Sequence, residues 1–143
     1  MTLVVATGTF DLLHPGHVLY LERSRALGDE LVVIVARDVN VRHKAKPILP
    51  EEQRRRMIES LKPVDRAVLG EVDDIFRTIE ELRPDIITLG FDQHFDPLRL
   101  EHDLFRRGLH PRIVRIDEQE PCELCSSRRI VNKILERFRG RRI

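Results

Sequence analysis

Tryptophan is missing from this chain of 143 residues, and tyrosine and cysteine are scarce, with one and two residues. Two cysteines are too few for the disulfide framework that holds small secreted domains together. No apolar run approaches the ~20 residues that cross a membrane, and the run from Thr2 to Ala6 is too short for the core of a signal peptide. These absences predict a cytoplasmic protein with no membrane partner.

The chain also lacks an excess of either charge, since 25 basic and 24 acidic residues leave a net charge of +1. A protein this close to neutrality has no overall field that would attract nucleic acid, so we expect no nucleic-acid partner. The basic tail from Arg137 to Ile143 is interpreted as a solvated end or part of a dimer contact. With 41% hydrophobic residues, the length predicts a single domain over residues 1–143.

Apolar runs of strand length alternate with amphipathic segments along the whole chain. We predict strands at residues 3–7, 30–36, 65–69, 85–89 and 112–116, and helices at about 15–27, 50–62, 73–83, 97–107 and 126–139. This alternation predicts an α/β fold, a Rossmann-like, doubly wound sheet of five parallel strands with helices on both faces. The third strand is more polar and is placed at an edge. Leu98, Leu104 and Phe105 are expected to face inward from the fourth helix.

Two histidines stand at the start of the first helix, in the segment His14-Pro15-Gly16-His17. Being three residues apart, they share one face of the first helical turn. Unpaired backbone amides and the helix dipole make such a place attractive to anions, phosphate above all. Gly8 is expected to permit a sharp turn, and Gly16 the close approach of a ligand. A metal site is the weaker alternative, because only Asp11 offers a nearby third ligand.

Ligands of doubly wound sheets bind beyond the carboxyl ends of the strands, where the strand order reverses. Four loops of this chain fall at those ends, at residues 7–17, 37–47, 90–94 and 117–127. They carry the two histidines, a basic stretch with Lys44 and Lys46, a glycine-acid turn, and a serine pair at a helix start. Their agreement on one edge of the sheet is stronger than any single motif and predicts a phosphate-binding site there.

The segment Gly8-Thr9-Phe10-Asp11, followed by His14-Pro15-Gly16-His17, resembles the signature of the cytidylyltransferase-like nucleotidyltransferases. The whole chain is most similar to the short archaeal members, the FAD synthases. This resemblance implies transfer of AMP from ATP to FMN with release of pyrophosphate, Mg²⁺ or a similar divalent ion, and a homodimer. A glycerol-3-phosphate cytidylyltransferase, or a transferase with another small phosphorylated acceptor, is the alternative. A nucleotide-binding module without turnover is an alternative of a different class.

The resemblance also implies roles for residues of this chain. His14 and His17 would contact the triphosphate and stabilise charge at the reacting phosphorus, together with Lys44 as a third catalytic residue. Nucleotide-binding residues would be Thr9, Phe10, Asp11, His14, His17, Gly90, Asp92, Ser126 and Ser127. Acceptor-binding residues would be Asp38, Lys44, Lys46 and Arg55. No metal ligands are assigned, and no aromatic pair marks a seat for the flavin ring.

Several of these residues have an ordinary structural interpretation as well. Asp11 fits a turn that bonds its own backbone, and Ser126 fits a helix N-cap. Arg55 is one of three consecutive arginines, at most one of which can point at the site, since successive helical residues diverge by ~100°. Cys122 and Cys125 are interpreted as loop thiols, with redox pairing or a zinc site as alternatives.

Overall fold

Five parallel strands form one sheet in the computed structural model, which describes residues 1–42 and 45–141. The strands are β1 (Leu3–Gly8), β2 (Glu30–Val35), β3 (Arg66–Leu69), β4 (Ile86–Gly90) and β5 (Arg112–Ile116). Their order in the sheet is β3-β2-β1-β4-β5, and every neighbouring pair is parallel. The α/β Rossmann-like prediction is confirmed, with β3 at an edge as expected.

Helices connect the strands in alternation. They are α1 (Pro15–Arg25), α2 (Glu51–Glu59), α3 (Arg77–Leu82), α4 (Pro97–Phe105) and α5 (Ser127–Arg137), with a short 3₁₀ turn at Asp38–Asn40. None of the helices that the structure describes is long and apolar enough to cross a membrane.

The core lies on both faces of the sheet, because successive side chains of a strand point to opposite sides. Val4 belongs to one apolar cluster with Leu31 and Ile58, whereas Val5 belongs to a second cluster with Val32 and Leu104. The central strands are therefore covered on both sides, as their unbroken apolar runs predict.

The helix α4 corrects one expectation about the core. Leu100 and Leu104 are buried, whereas Leu98 and Phe105 are 76% and 62% exposed. At about 100° per residue, Leu98 and Phe105 lie on the side of the helix opposite Leu100 and Leu104. The prediction for Leu104 is confirmed, and those for Leu98 and Phe105 are wrong.

The strand order reverses between β1 and β4, in the middle of the sheet. β1 continues beside β2 as far as Gly8 opposite Val35, and β4 continues beside β5 as far as Gly90 opposite Ile116. The ladder between β1 and β4, however, ends at Ala6 opposite Thr88. A crevice therefore opens between the carboxyl ends of these two strands, and the loop with the two histidines leaves β1 at its rim.

Candidate active site

The loop that leaves β1 turns at Phe10. Phe10 has a left-handed backbone with φ of 54°, whereas Gly8 has no positive φ. The expectation that Gly8 makes the sharp turn is therefore wrong. A Cβ atom on Gly8 would lie 2.7 Å from the Phe10 ring, so this glycine instead makes room for a phenylalanine that is 4% exposed. The buried Phe10 ring packs edge-on against His17, with ring centroids 5.4 Å apart.

His14 and His17 lie together at the start of α1, as predicted. Their rings are stacked, with centroids 3.7 Å apart and planes at 27°, and both residues are partly exposed. His14 is also the N-cap, since its Nδ1 accepts a hydrogen bond of 3.1 Å from the Gly16 amide. A neutral His14 that accepts at Nδ1 carries its proton on Nε2, where it can donate to an anion.

This arrangement changes the expected roles of the helix start and of Gly16. The Gly16 amide is bonded to His14 Nδ1, and the His17 amide donates to the His14 carbonyl at 3.0 Å. A Cβ atom on Gly16 would lie 2.9 Å from the His14 ring. The glycine therefore makes room for the imidazole, and the imidazoles rather than bare amides are the groups offered to an anion.

The charge of His14 depends on its surroundings. Partial burial lowers the pKa of His14, Asp92 opposes the shift, and Arg129 adds to it. The same two residues show that the turn after β4 and the start of α5 lie within electrostatic reach of His14.

Asp11 ties the loop after β1 to the segment before α2. Its two carboxylate oxygens accept hydrogen bonds of 2.9 Å from the backbone amides of Ile48 and Leu49. One predicted alternative was that Asp11 hydrogen-bonds its own backbone in a turn. Its partners in the structure are instead 37 and 38 residues away. Asp11 thus holds the segment just before α2 against the loop that leaves β1.

Arg54, on α2, joins the same two loops from beneath. Its side chain is fully buried. It donates to the carbonyls of Thr9, Ala36 and Leu49 at 2.7, 3.0 and 2.9 Å, and to the Asp38 carboxylate at 2.5 Å. Asp38, predicted to bind the acceptor, is therefore the ion-pair partner of Arg54.

The predicted acceptor residues Arg55 and Lys46 have other partners in the structure. Arg55 pairs with Glu52 and Glu59 on its own helix, at 2.8 and 3.1 Å. Lys46 Nζ donates to the carbonyls of Asp38 and Val41 at 2.9 and 3.0 Å, which closes its own loop. Lys44 lies outside the described residues.

The start of α5 contacts the histidine loop directly. Ser127 Oγ accepts from the Leu12 amide at 3.2 Å and donates to the Leu12 carbonyl at 3.0 Å. Ser126 is the N-cap and accepts from the Arg129 amide. The serine pair therefore lies beside the histidines, as predicted, and both hydroxyls also have structural partners.

The cysteines just before α5 are bonded to each other. Cys122 and Cys125 form a disulfide, and neither is a free thiol. The interpretation as loop thiols is wrong, and the redox-pairing alternative describes the structure. A Cβ atom on Gly16 would come within 3.9 Å of Cys125 Cβ, so the disulfide borders the histidine site.

The turn after β4 is held by side chains from two other strands. Gln93 Oε1 accepts from the Gly90 amide at 2.6 Å, and its Nε2 donates to Thr7 Oγ1 at 3.2 Å. Arg115, on β5, donates to the carbonyls of Gly90, Gln93 and Phe95. The predicted residues Gly90 and Asp92 thus lie in a braced turn at the crevice.

The profile of the family described as cytidylyltransferase-like matches residues 5–133. The chain belongs to the cytidylyltransferase-like family. It is 68% identical to the FAD synthase of Methanothrix thermoacetophila over 136 residues, which are 95% of each chain. It is 59% identical to the FAD synthase of Archaeoglobus profundus over 141 residues, 99% of this chain and 91% of the other.

Two solved structures are similar to this chain. A protein from Thermoplasma volcanium GSS1, described as a lipopolysaccharide core biosynthesis protein, superposes with a TM-score of 0.81 and 49% identity. The match covers 84% of this chain and 99% of that chain. A protein from Archaeoglobus fulgidus, at a TM-score of 0.64 and 20% identity, supports the fold alone.

Two arginines of this family member escaped the sequence-based assignment. Arg54 lies four residues before Ile58 and seven before Leu61, which is the spacing of a buried helical stripe. That spacing could have singled out Arg54, rather than Arg55, among the three. Arg115 is a partly buried charged residue on the edge strand β5, and such residues are retained where they have partners.

Proposed function

We propose that this protein is an FAD synthase, which transfers AMP from ATP to FMN and releases pyrophosphate. The observation that carries the proposal is the stacked pair His14 and His17 at the mouth of the β1–β4 crevice, in a chain 68% identical to an FAD synthase. Residues 1–143 would form one nucleotidyltransferase domain at work in the cytoplasm.

The reaction needs alignment and positive charge rather than a protein nucleophile. An oxygen of the FMN phosphate attacks the α-phosphorus of ATP, a new P–O bond forms, and the bond to the bridging oxygen of the β-phosphate breaks. Nε2–H of His14 would donate to a phosphate oxygen, while His17 contributes the second imidazole. Lys44 and Lys46 would approach the acceptor phosphate, with Asp38 and Arg54 shaping their loop.

A divalent ion would enter with the nucleotide. The described residues contain no group of three His, Cys, Asp or Glu side chains that could hold a metal. Mg²⁺ commonly keeps several waters and is bound through substrate phosphates. This donor set therefore fits an ion carried by ATP, where it shields the phosphates, and not a resident protein cage.

The flavin ring needs a flat apolar surface near the crevice. Phe91 and Phe95, in the turn after β4, are 48% and 38% exposed, whereas Phe10 and Tyr20 are buried. We place the isoalloxazine ring against Phe91. Because stacking of a ring on an aromatic side chain contributes ~1–3 kcal/mol, Phe91→Ala should raise KM for FMN about tenfold. A larger rise of KM for ATP would instead assign this segment to adenine.

A coupled assay tests the proposed function. The native protein with FMN, ATP and Mg²⁺ should release pyrophosphate and form FAD, and His17→Ala should abolish both. Parallel reactions contain CTP with glycerol 3-phosphate, and ATP with a sugar 1-phosphate. Turnover only with one of these acceptors would move the protein to another branch of the family, and no release with any acceptor would favour a binding module.

We also propose a homodimer. The helix α5 has an apolar stripe with Ile134 and Leu135 44% and 63% exposed, and no residue of α5 is buried within the chain. A second copy that packs its own α5 against this stripe would cover it.

A further inference from the structure

A tyrosine hydroxyl bridges β1 and β4 where their ladder ends at the crevice. The pairing of Ala6 with Thr88 is the last between β1 and β4. The Thr7 amide donates to the Tyr20 hydroxyl at 3.2 Å, and the hydroxyl donates to the Thr88 carbonyl at 2.8 Å. Tyr20 therefore bridges the two strands at the point where they separate.

The next bond of the ladder is replaced by a side chain. In a continued ladder, the Gly90 amide would donate to the Thr7 carbonyl. That amide instead donates to Gln93 Oε1 at 2.6 Å, and the Thr7 carbonyl lies 3.3 Å from the Tyr20 hydroxyl. The amides of Thr7 and Gly90 thus have side-chain acceptors in Tyr20 and Gln93, so the crevice is a built feature and not a frayed end.

Tyr20 also connects this opening to the histidines. It lies three residues after His17, one turn along α1. The Phe10 ring lies between them, edge-on to His17 and stacked on Tyr20 with centroids 6.3 Å apart. Tyr20 is buried, and burial raises its pKa to about 12. The hydroxyl therefore stays protonated and keeps both bonds across the neutral pH range.

We propose that Tyr20 is a positioning residue, whose hydroxyl holds β1 and β4 apart and thereby fixes His17 against the crevice. The inference rests on the proposed function, and it adds a group that acts through the histidine without contacting substrate. A misplacement of reacting groups by ~1 Å can cost about 100-fold in rate. Loss of the Tyr20 hydroxyl should therefore lower kcat.

Ser24 provides the matched control, because its hydroxyl belongs to the same buried group of hydrogen-bonded side chains as Tyr20 and Thr88. Ser24 Oγ is bonded to Thr88 Oγ1 at 2.8 Å and to the Tyr20 carbonyl at 2.8 Å. Ser24→Ala removes a buried hydroxyl of this cluster but leaves the bridge from Thr7 through Tyr20 to Thr88 in place. If the cluster only stabilises the fold, Tyr20→Phe and Ser24→Ala should have similar consequences.

The experiment compares the two variants by kinetics and by amide hydrogen exchange. Tyr20→Phe should lower kcat at least tenfold while KM for ATP stays within about threefold, and Ser24→Ala should leave kcat within about twofold of native. Exchange at the Thr7 amide, measured without substrates, should change in Tyr20→Phe and stay native in Ser24→Ala. Thermal midpoints of both variants report any general loss of stability.

Two results would overturn the inference. One is an equal loss of kcat in both variants. The other is a hydrogen-exchange rate at the Thr7 amide of Tyr20→Phe that equals the rate in the native protein. If the native protein forms no FAD, the proposed function fails, but the exchange measurement still decides whether Tyr20 holds the strands apart. The two failures are therefore distinguishable.

Discussion

At the scale of single residues, His14 has two roles that depend on its being neutral. It caps α1 through Nδ1, and it offers Nε2 to an anion. Protonation of Nδ1 would remove the acceptor of the cap, so acid should weaken the helix start before it affects the rest of the sheet.

This gives a pH dependence of stability with a definite sign. Burial lowers the pKa of folded His14 below its ordinary value of about 6.5. The unfolded chain therefore takes up this proton at a higher pH than the folded chain. The stability contributed by neutral His14 is complete above about pH 6.5 and is lost as the pH falls through that window.

His14→Asn should remove this dependence, because asparagine is a good N-cap that does not titrate. Urea unfolding at pH 7.5 and 5.5 would measure it. The free energy of unfolding should fall less between the two pH values in the variant than in the native protein. An equal fall in both proteins would assign the acid sensitivity to other groups.

Arg54 and Arg55 provide a second comparison between neighbouring residues. Arg54→Ala would leave the Asp38 carboxylate and three carbonyls without their donor, and should lower the free energy of unfolding by about 2–4 kcal/mol. Arg55→Ala removes surface ion pairs and should cost much less. The free energy of unfolding of Arg54→Lys should lie between those of the native protein and Arg54→Ala. The lysine ammonium keeps the positive charge but lacks the planar set of N–H donors of the guanidinium. Equal losses for both alanine variants would contradict the buried role of Arg54.

At the scale of elements, Gly16 separates helix stability from the geometry of the site. Alanine is the better helix former by about 1 kcal/mol, but its Cβ would lie 2.9 Å from the His14 ring. Gly16→Ala should therefore lower kcat severalfold or more, with a thermal midpoint close to native. Gly70→Ala is the control, since its Cβ would approach the Ile34 side chain no closer than 3.4 Å. Equal activities of the two variants would contradict the packing role of Gly16.

Strands and the histidine pair were predictable because their signals are local. An unbroken apolar run specifies a buried strand, and β2 begins where predicted and ends one residue earlier, at Val35. The helix α3 begins later than predicted, at Arg77, because Asp74 accepts from the Phe76 amide and forms a turn before the helix. Local side-chain bonds of this kind compete with helix formation. The hydrophobic periodicity of the sequence does not reveal whether the turn or the helix will form.

Contacts across the sheet edge were not predictable, because they join distant residues. Asp11 reaches amides 37 and 38 residues away, and Tyr20 reaches a carbonyl 68 residues away. A sequence pattern places each residue on an element but does not show which backbone group it will meet. The edge loops were therefore located correctly, whereas the bonds that hold them together emerged only from the structure.

At the scale of the whole molecule, the exposed stripe of α5 makes the oligomeric state testable. Leu135→Glu should convert a dimer into a monomer, because it places a charge at the centre of the surface proposed to pack against a second copy. Light scattering after size-exclusion chromatography would measure the mass. Leu98→Glu, on the 76% exposed position of α4, is the control and should stay dimeric.

The same interface should respond to salt in an unusual direction. α5 carries Arg128, Arg129, Lys133 and Arg137 against a single acid, Glu136, so two copies brought together there would repel each other. Salt screens such repulsion, with a Debye length of about 10 Å at 0.1 M and about 3 Å at 1 M. The dimer should therefore tighten as salt is raised. A dimer that weakens in salt, or that survives Leu135→Glu, would place the interface on another surface.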